Sequence, residues 1–359
     1  MVLKYFNILA TAFSLVAAFS FATAQNSGVA TTAGDTKTLY IEKADTIISV
    51  KLNWNSDFEQ FTVDAPGYRV DLRPNVSVAN RISFGYRFIS FGFGFKPKFY
   101  PGNNDVDKQG KTRTLSFGFN IVTSHITQDF HFNYVKGYYI HNTNDFDPGW
   151  NKDEDPYLLQ PDLQMASLSG STGYKFNSNF SLKAFSSQTE IQKKSAGTLY
   201  PLLSYRYYEM DNQSNDTAQK SSQFSKNLNL TASVGYLYTF VINSKFYIAA
   251  GVIPGIGTHR TKLLTRQTDG NITTRYNDPV FSVVEKVGIG YNTKKLFAGV
   301  EGSFFQSSLN QNNTSVQTKG MRSYYQIFVG YRFNAPAFLK KDADWAKSKV
   351  PGRFRKMLN

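Results

Sequence analysis

An all-β fold, a transmembrane antiparallel up-and-down β-barrel, is what this sequence predicts, and three observations predict it. Apolar and small polar residues alternate strictly over segments of ten residues and more. Aromatic residues make up 16% of the 359 residues although the mean hydropathy is −0.36, which suits alternating strands with aromatic girdles better than a packed soluble core. The connections between these segments are alternately short and long, as in barrels with tight periplasmic turns and long outer loops.

The first 24 residues carry Lys4, an apolar run from Ile8 through Phe21 and the small-residue site Ala22-Thr23-Ala24 before Gln25. That pattern predicts a secretory signal peptide cleaved near Ala24-Gln25. Beyond it no stretch of about 18 consecutive apolar residues exists, so strands, and not helices, would have to hold the chain in a membrane. The absence of cysteine excludes disulfides, a thiol nucleophile and a lipoprotein anchor. In an exported chain the net charge of +14 points to phosphate-bearing lipid headgroups or cell-wall polymers, not to nucleic acid.

The alternation is clearest from Asn227 to Phe240, where Leu228, Leu230, Ala232, Val234, Tyr236, Tyr238 and Phe240 form the apolar row. It recurs in Leu115, Phe117, Phe119 and Ile121, and again in Tyr325, Ile327, Val329, Tyr331 and Phe333. At Phe88-Ile89 the apolar set switches from even to odd positions, the phase flip that a tight turn produces. Further short links are read at Asn177-Ser178, Asn243-Ser244 and Asn292-Thr293, and long loops at Pro101–Lys111, Asn142–Pro161, Lys262–Asn277 and Asn310–Lys319.

Descending strands are then expected near 80–88, 113–123, 163–176, 228–240, 278–291 and 320–333. Their ascending partners are one strand from 46–78, then 89–96, 128–141, 179–190, 245–259 and 295–309. Twelve strands result. The segment 191–227 does not fit: Thr198–Glu209 reads as another strand, so fourteen strands, or an extracellular or in-folded hairpin, stay open. Gly-Tyr recurs at Tyr86, Tyr174, Tyr236, Tyr291 and Tyr331, which are expected to form a periplasmic aromatic girdle. The chain divides into a signal peptide (1–24), a periplasmic N-terminal segment (25–45), the barrel (46–333) and a basic periplasmic tail (334–359). That tail carries Lys340, Lys341, Lys347, Lys349, Arg353, Arg355 and Lys356 against Asp342 and Asp344, and reads as a short basic helix followed by an arm.

The stretch Tyr68–Phe95, with Arg73-Pro74-Asn75 and Ser83-Phe84-Gly85-Tyr86-Arg87-Phe88, resembles a family of outer-membrane barrels from the Bacteroidota known as domain of unknown function 4421. Similar features are Gln192-Lys193-Lys194-Ser195-Ala196-Gly197, Tyr236-Leu237-Tyr238-Thr239-Phe240 leading to Pro254-Gly255-Ile256-Gly257, and Gly330-Tyr331-Arg332-Phe333-Asn334-Ala335-Pro336. The resemblance covers roughly residues 38–350 and departs at Thr198, where the family tends to have serine. It implies location in the outer membrane of a Gram-negative bacterium and barrel architecture, and carries over no activity.

The residues offer little chemistry. His125, His131, His141 and His259 are too scattered for a metal cluster, and no phosphate loop, nucleophile elbow or paired carboxylates stand out, so no catalytic, metal or cofactor site is expected. Alternation places Arg87, Asp129, His131, Asn133, Lys183, Glu301, Arg322, Gln326 and Arg332 on the lumenal side, where charges must pair, hold water or line a conduit. Glu285 and Lys286 are adjacent, so one of them faces lipid unless a bulge intervenes. About eight strands enclose only side chains whereas 16–18 leave a wide channel, so twelve suggest a narrow or plugged pore.

Three functions are weighed: a channel or transporter whose net-positive lining favours anions, an envelope component docking a periplasmic or cell-wall partner through residues 334–359, and a lipid-modifying enzyme using Ser124-His125. Outer-membrane lipid including lipopolysaccharide, and the barrel-assembly machinery during insertion, are the expected partners, with no nucleic acid. Asp45-Thr46-Ile47 and Asp216-Thr217-Ala218 resemble short O-glycosylation acceptor sequences.

Overall fold

The structure is a computed structural model that describes residues 40–349 apart from 44–46, 60, 66–67, 77–78, 98, 101–102, 104, 213–220, 268–269 and 310–316. The signal peptide, both glycosylation-like sequences in part or whole, and residues 350–359 lie outside the described residues. In chain order the elements are β1 (Ile41–Lys43), β2 (Ile47–Glu59), β3 (Phe61–Ala65), β4 (Tyr68–Arg73), β5 (Ala79–Tyr86), β6 (Ile89–Phe95), α1 (Val106–Gln109), β7 (Arg113–Val122) and β8 (Ile126–Ile140). They continue with β9 (Leu158–Tyr174), α2 (Leu182–Phe185), β10 (Glu190–Gln192), β11 (Ala196–Asn212), β12 (Ser221–Ile242), β13 (Phe246–Gln267), β14 (Gly270–Asn292), β15 (Leu296–Leu309), β16 (Gln317–Asn334) and α3 (Ala337–Lys349).

Twelve strands close an antiparallel barrel in the order β2-β5-β6-β7-β8-β9-β11-β12-β13-β14-β15-β16, and β16 pairs back onto β2. Closure satisfies every edge, which a bilayer demands because unpaired backbone groups in hydrocarbon cost several kcal/mol each. The alternation sets the faces. In β12 the even positions Val234, Tyr236, Tyr238 and Phe240 are exposed outward, while Thr231, Ser233, Leu237 and Thr239 are buried inward. Tyr325, Ile327, Val329, Tyr331 and Phe333 of β16 likewise point out.

The expected count of twelve holds, but one of the twelve is a different segment. Residues 179–190 do not form a wall strand; β11 does, paired with β9 and β12 over its length. The physical reason lies in the outward row of β11, Leu199, Leu203, Tyr205 and Tyr207, which presents an unbroken apolar face that 179–190, with Lys183 and Glu190, cannot. The parity problem disappears once 177–195 is read as an in-folded segment, so Asn177-Ser178 opens that segment instead of a hairpin.

Turns follow the expected chemistry, with small shifts. Asn243 and Ser244 both have positive φ (50° and 54°), the pair of left-handed residues that a two-residue hairpin needs. The flip near Phe88 is centred on Arg87 (φ 54°), with Tyr86 paired to Ile89. Lys262–Asn277 is mostly not a loop: β13 and β14 run on as paired strands of 22 and 23 residues, well past the 9–11 that span a bilayer. On the opposite side β5 and β6 have only 8 and 7 residues. Above them the β3-β4 hairpin bridges β16 to β8, through Lys319↔Thr62 and Leu72↔Ile140.

Candidate functional site

Residues 177–195 fold into the barrel at the end that carries its short turns and form a plug. Asn177 ties its start to the wall by donating from Nδ2 to the Gly197 carbonyl at 2.8 Å. Ser181 caps α2, its Oγ accepting from the Ala184 amide at 2.9 Å. Phe180 and Leu182 then pack, with Phe185 against them, on inward residues of the wall, among them Val122, Tyr200, Leu202, Leu237 and Ile253. The inward row of β12 is therefore polar in the outer half and apolar at Leu237, where the plug needs a surface to bury against.

Polar contacts fix the rest of the plug. Lys183 and Glu190 form a buried ion pair at 3.3 Å, and Ser181 Oγ donates to Glu190 at 2.6 Å. Burial pushes the Glu190 carboxyl up, but Lys183, Ser181 and Lys175 outweigh it and hold it below the ordinary carboxylate value. Gln188, fully buried and left-handed (φ 58°), is the hub. Its carbonyl accepts from Arg332 Nε at 3.2 Å and Nη2 at 2.6 Å; its side chain accepts from Asn292 at 3.0 Å and donates to Glu301 at 3.3 Å. Arg332 also donates to Asn292 Oδ1 at 2.8 Å and lies 4.5 Å above the Phe297 ring.

Gly330, on the same inner row as Arg332, has its inner face covered by the Phe297 ring, and a Cβ there would collide with it. This explains the Gly-Tyr repeat at that position: the tyrosine faces out while the glycine leaves room for an aromatic from the next strand.

β1, which is not part of the wall, pairs with β10 through Ile41↔Gln192, Glu42↔Ile191 and Lys43↔Glu190. Glu42 pairs with Lys193 at 3.3 Å and Lys294 at 3.1 Å, joining the plug to the β14-β15 turn.

Beyond the plug the lumen is lined by polar side chains. Lys51 lies 5.1 Å above the Phe328 ring, Arg81 donates to Ser116 at 3.0 Å, and Gln326 donates to Glu301. Asp129 accepts from Asn120 and, at 3.4 Å, from Ser171. His131 stands opposite Gly118, where a Cβ would lie 2.8 Å from Arg81 Nη1 and 3.0 Å from His131 Nδ1; glycine leaves room for both side chains.

The residues expected in the lumen therefore separate. Asp129, His131 and Asn133 share one inner face of β8, opposite Asn120, Gly118 and Ser116. Glu301, Gln326 and Arg332 are brought together with Gln188. Lys183 is inside the barrel but belongs to α2 of the plug, not to a strand. Arg87 is not lumenal: it occupies the β5-β6 turn, where its left-handed backbone swings the side chain to Asp344 of α3 at 2.6 Å. Arg322 stands in β16 in register with Phe305 and Glu59.

Of the tyrosines expected in the girdle, Tyr86, Tyr174, Tyr291 and Tyr331 lie at the short-turn ends of their strands; Tyr236 sits further along, paired to Val252. Glu285 and Lys286 lie in continuous register without a bulge. Lys286 points in, 5.9 Å from the Phe185 ring, and Glu285 shares the outward row of Phe281, Val287 and Ile289. At Ser124-His125 the imidazole contacts the Lys175 carbonyl at 3.0 Å and stacks on Tyr174, a structural role. Among the described residues no cluster of three or more His, Asp or Glu could hold a metal ion.

Sequence reasoning missed Lys51, Arg81, Gln188 and Asn292, as well as Tyr247, whose hydroxyl accepts from Gln188 Nε2 at 3.4 Å. Alternation alone places Arg81 inward beside Ser83, whereas Gln188 carries no local signal because its role depends on a loop fold.

The model of a family described as Domain of unknown function (DUF4421) matches residues 34–333. No curated protein is found similar to the chain. Among solved structures it is similar to the attachment invasion locus protein Ail of Yersinia pestis in complex with the heparin analogue sucrose octasulfate (10% identity, 80% of this chain and 98% of that chain, TM-score 0.26). It is also similar to the outer membrane protein OmpT of Vibrio cholerae in trimer form (7%, 80% and 98%, 0.29) and to the toluene transporter TbuX of Ralstonia pickettii (12%, 81% and 89%, 0.30).

Proposed function

The chain belongs to the family described as domain of unknown function DUF4421, and from that premise we propose that it is a gated conduit in the outer membrane, with residues 177–195 as its periplasmic gate. The observation that carries this reading is the Gln188 hub. A segment retained only to fill the barrel would be more stable as an apolar core, since buried ionic and polar pairs are often matched or exceeded by hydrophobic replacements. Here one whole side of the plug is held to the wall by Arg332, Asn292 and Glu301, contacts that can exchange for water when the plug moves.

On the inner wall Lys51, Arg81, Arg206, Lys286 and Arg332 outnumber Asp129, Asp278 and Glu301, which favours a small anionic solute. In that location the wall meets lipopolysaccharide outside and depends on the assembly machinery for insertion.

Planar-bilayer recording tests the reading. The intact chain is expected to stay at baseline or open rarely, and a chain in which 178–194 is replaced by a short Gly-Ser linker is expected to conduct continuously. Baseline traces from both proteins, with folding shown by heat-modifiable mobility, would rule the conduit out. A second reading, an envelope component that docks through its tail, is favoured by the exposed Phe338 and Trp345 of α3.

A further inference from the structure

The sequence beyond β16 builds a surface that the barrel does not use. α3 begins just after the periplasmic end of β16, and its Asp344 pairs with Arg87 in the β5-β6 turn at 2.6 Å. Between β16 and β5 lies β2, so the helix crosses two strand spacings, about 10 Å. From 337 to 344 a helix rises about 10 Å as well, at 1.5 Å per residue. The two lengths agree, and α3 therefore runs along the rim, across the strands, in the plane of the membrane surface and not down into the periplasm.

Its faces are divided accordingly. Leu339 and Ala343 are half-buried and Ala335 before them is buried, so this side rests on the barrel. Phe338 and Trp345 are each 64% exposed. With Lys341 and Lys349 they recur at helical spacing on one face, and Lys349 Nζ lies 5.7 Å from the Trp345 ring. Asp342 is exposed beside this face, and Asp344 is spent on Arg87, so the lysines dominate.

We propose that this face of α3 is an interfacial membrane anchor, with Phe338 and Trp345 inserted at the headgroup boundary of the periplasmic leaflet and Lys341 and Lys349 on the phosphates of anionic phospholipids. Two observations commit the surface to lipid. It continues the outward row of Tyr331 and Phe333, exposed aromatics at the end of the membrane-facing side of β16. Its chemistry, aromatics flanked by lysines on a helix lying in the interface plane, is that of a surface helix on an anionic leaflet. The inference needs the barrel to sit in a bilayer but not to conduct, so it stands or falls apart from the gate.

The test uses the full chain, in which Trp54, Trp150 and Trp345 are the only tryptophans. Trp54→Phe and Trp150→Phe leave Trp345 as the reporter, and the protein is reconstituted in phosphatidylcholine vesicles with and without phosphatidylglycerol. Lipid brominated at a shallow acyl position should quench most of the Trp345 emission, and acrylamide should quench it less than it quenches free tryptophan. Adding phosphatidylglycerol should shift the emission further to the blue, and Lys341→Gln with Lys349→Gln should abolish that added shift. Trp345 that is fully open to acrylamide and blind to brominated lipid in both vesicles overturns the proposal. So does protection that appears only when purified peptidoglycan is added. Heat-modifiable mobility confirms that each variant is folded.

Discussion

Arg332, in the last strand, and Gln188, 144 positions earlier in the chain, meet inside the barrel through two hydrogen bonds from one guanidinium to one carbonyl. The contact joins the strand that closes the barrel to the segment that closes its lumen. Arg332 therefore holds the in-folded segment without taking part in the wall's outer face. Hydrogen bonds to a charged group contribute about 1.5–3 kcal/mol. Arg332→Ala should loosen the plug by roughly that amount while the barrel still closes. Limited proteolysis within 177–195 should become faster, with unchanged heat-modifiable mobility; Arg332→Lys, which keeps the charge but loses the planar fork, should fall between.

Acid should open the same segment. Glu190 is held below the ordinary carboxylate value by Lys183, Ser181 and Lys175 against the opposing effect of burial, and Glu42 is lowered against its own burial by Lys294 and Lys193. A depressed folded value means that the stabilisation is fully present above the unfolded carboxylate pKa, about 4.3, and is lost as pH falls through the depressed value. Protection factors of residues 181–192, which are exchange rates corrected for the intrinsic pH dependence of amide exchange, should thus fall only in acid below that point, and Glu190→Gln should flatten the dependence. Protection that rises on acidification would contradict the ion-pair account.

Much of the fold was legible because a lipid-facing strand has no freedom to disguise itself. Rows such as Leu230-Val234-Tyr238 must be apolar at every second position, and that periodicity yields faces, direction and strand count. The plug was illegible for the converse reason. Residues 179–190 face neither lipid nor bulk water, so Phe180 and Leu182 pack while Lys183 and Glu190 pair, and no period survives. Alternation put Arg332, Glu301 and Gln326 on the inner face, but their common partner Gln188 could not be found without the in-folding. Arg87 failed because alternation was carried one residue too far, into a turn.

The outward row of β14 contains one misfit. Glu285 stands between Phe281 and Val283 on one side and Val287 and Ile289 on the other, opposite Val252 and Phe304, and makes no hydrogen bond or ion pair among the described residues. A charge at the midplane of a barrel's lipid face costs about 2–4 kcal/mol for Lys or Arg and less for Glu. Glu285→Leu should therefore stabilise the folded barrel by about 1 kcal/mol, seen as a higher urea midpoint for unfolding from vesicles. Lys286→Leu, one position away, removes an inward cation beside Phe185 and should act on the plug, not on insertion. A destabilised Glu285→Leu barrel would show that the carboxylate has a partner within the membrane.

The two faces of β16 supply the sharpest contrast. Val329 points outward at 38% exposure, paired to Leu52 and Ala298, whereas Gln326 is 7% exposed, points inward and donates to Glu301. Val329→Arg places a guanidinium in hydrocarbon at a cost of about 2–4 kcal/mol, with snorkelling as its only relief. Gln326→Arg instead sets the guanidinium beside the Glu301 carboxylate, where a charge-assisted pair replaces the amide bond. The cost of its greater volume falls on the lumen, where Asn55 and Glu301 are its cross-strand neighbours. Refolding into vesicles followed by heat-modifiable electrophoresis should show the Gln326→Arg chain largely folded and the Val329→Arg chain clearly depleted. Since β16 is also the strand that closes on β2, the depleted fraction should be uninserted protein, open to external protease, and not a loosened barrel. Equal folding of the two, or a worse outcome for Gln326→Arg, would mean that the inner face of β16 tolerates charge less well than lipid does, which the Glu301 pairing forbids.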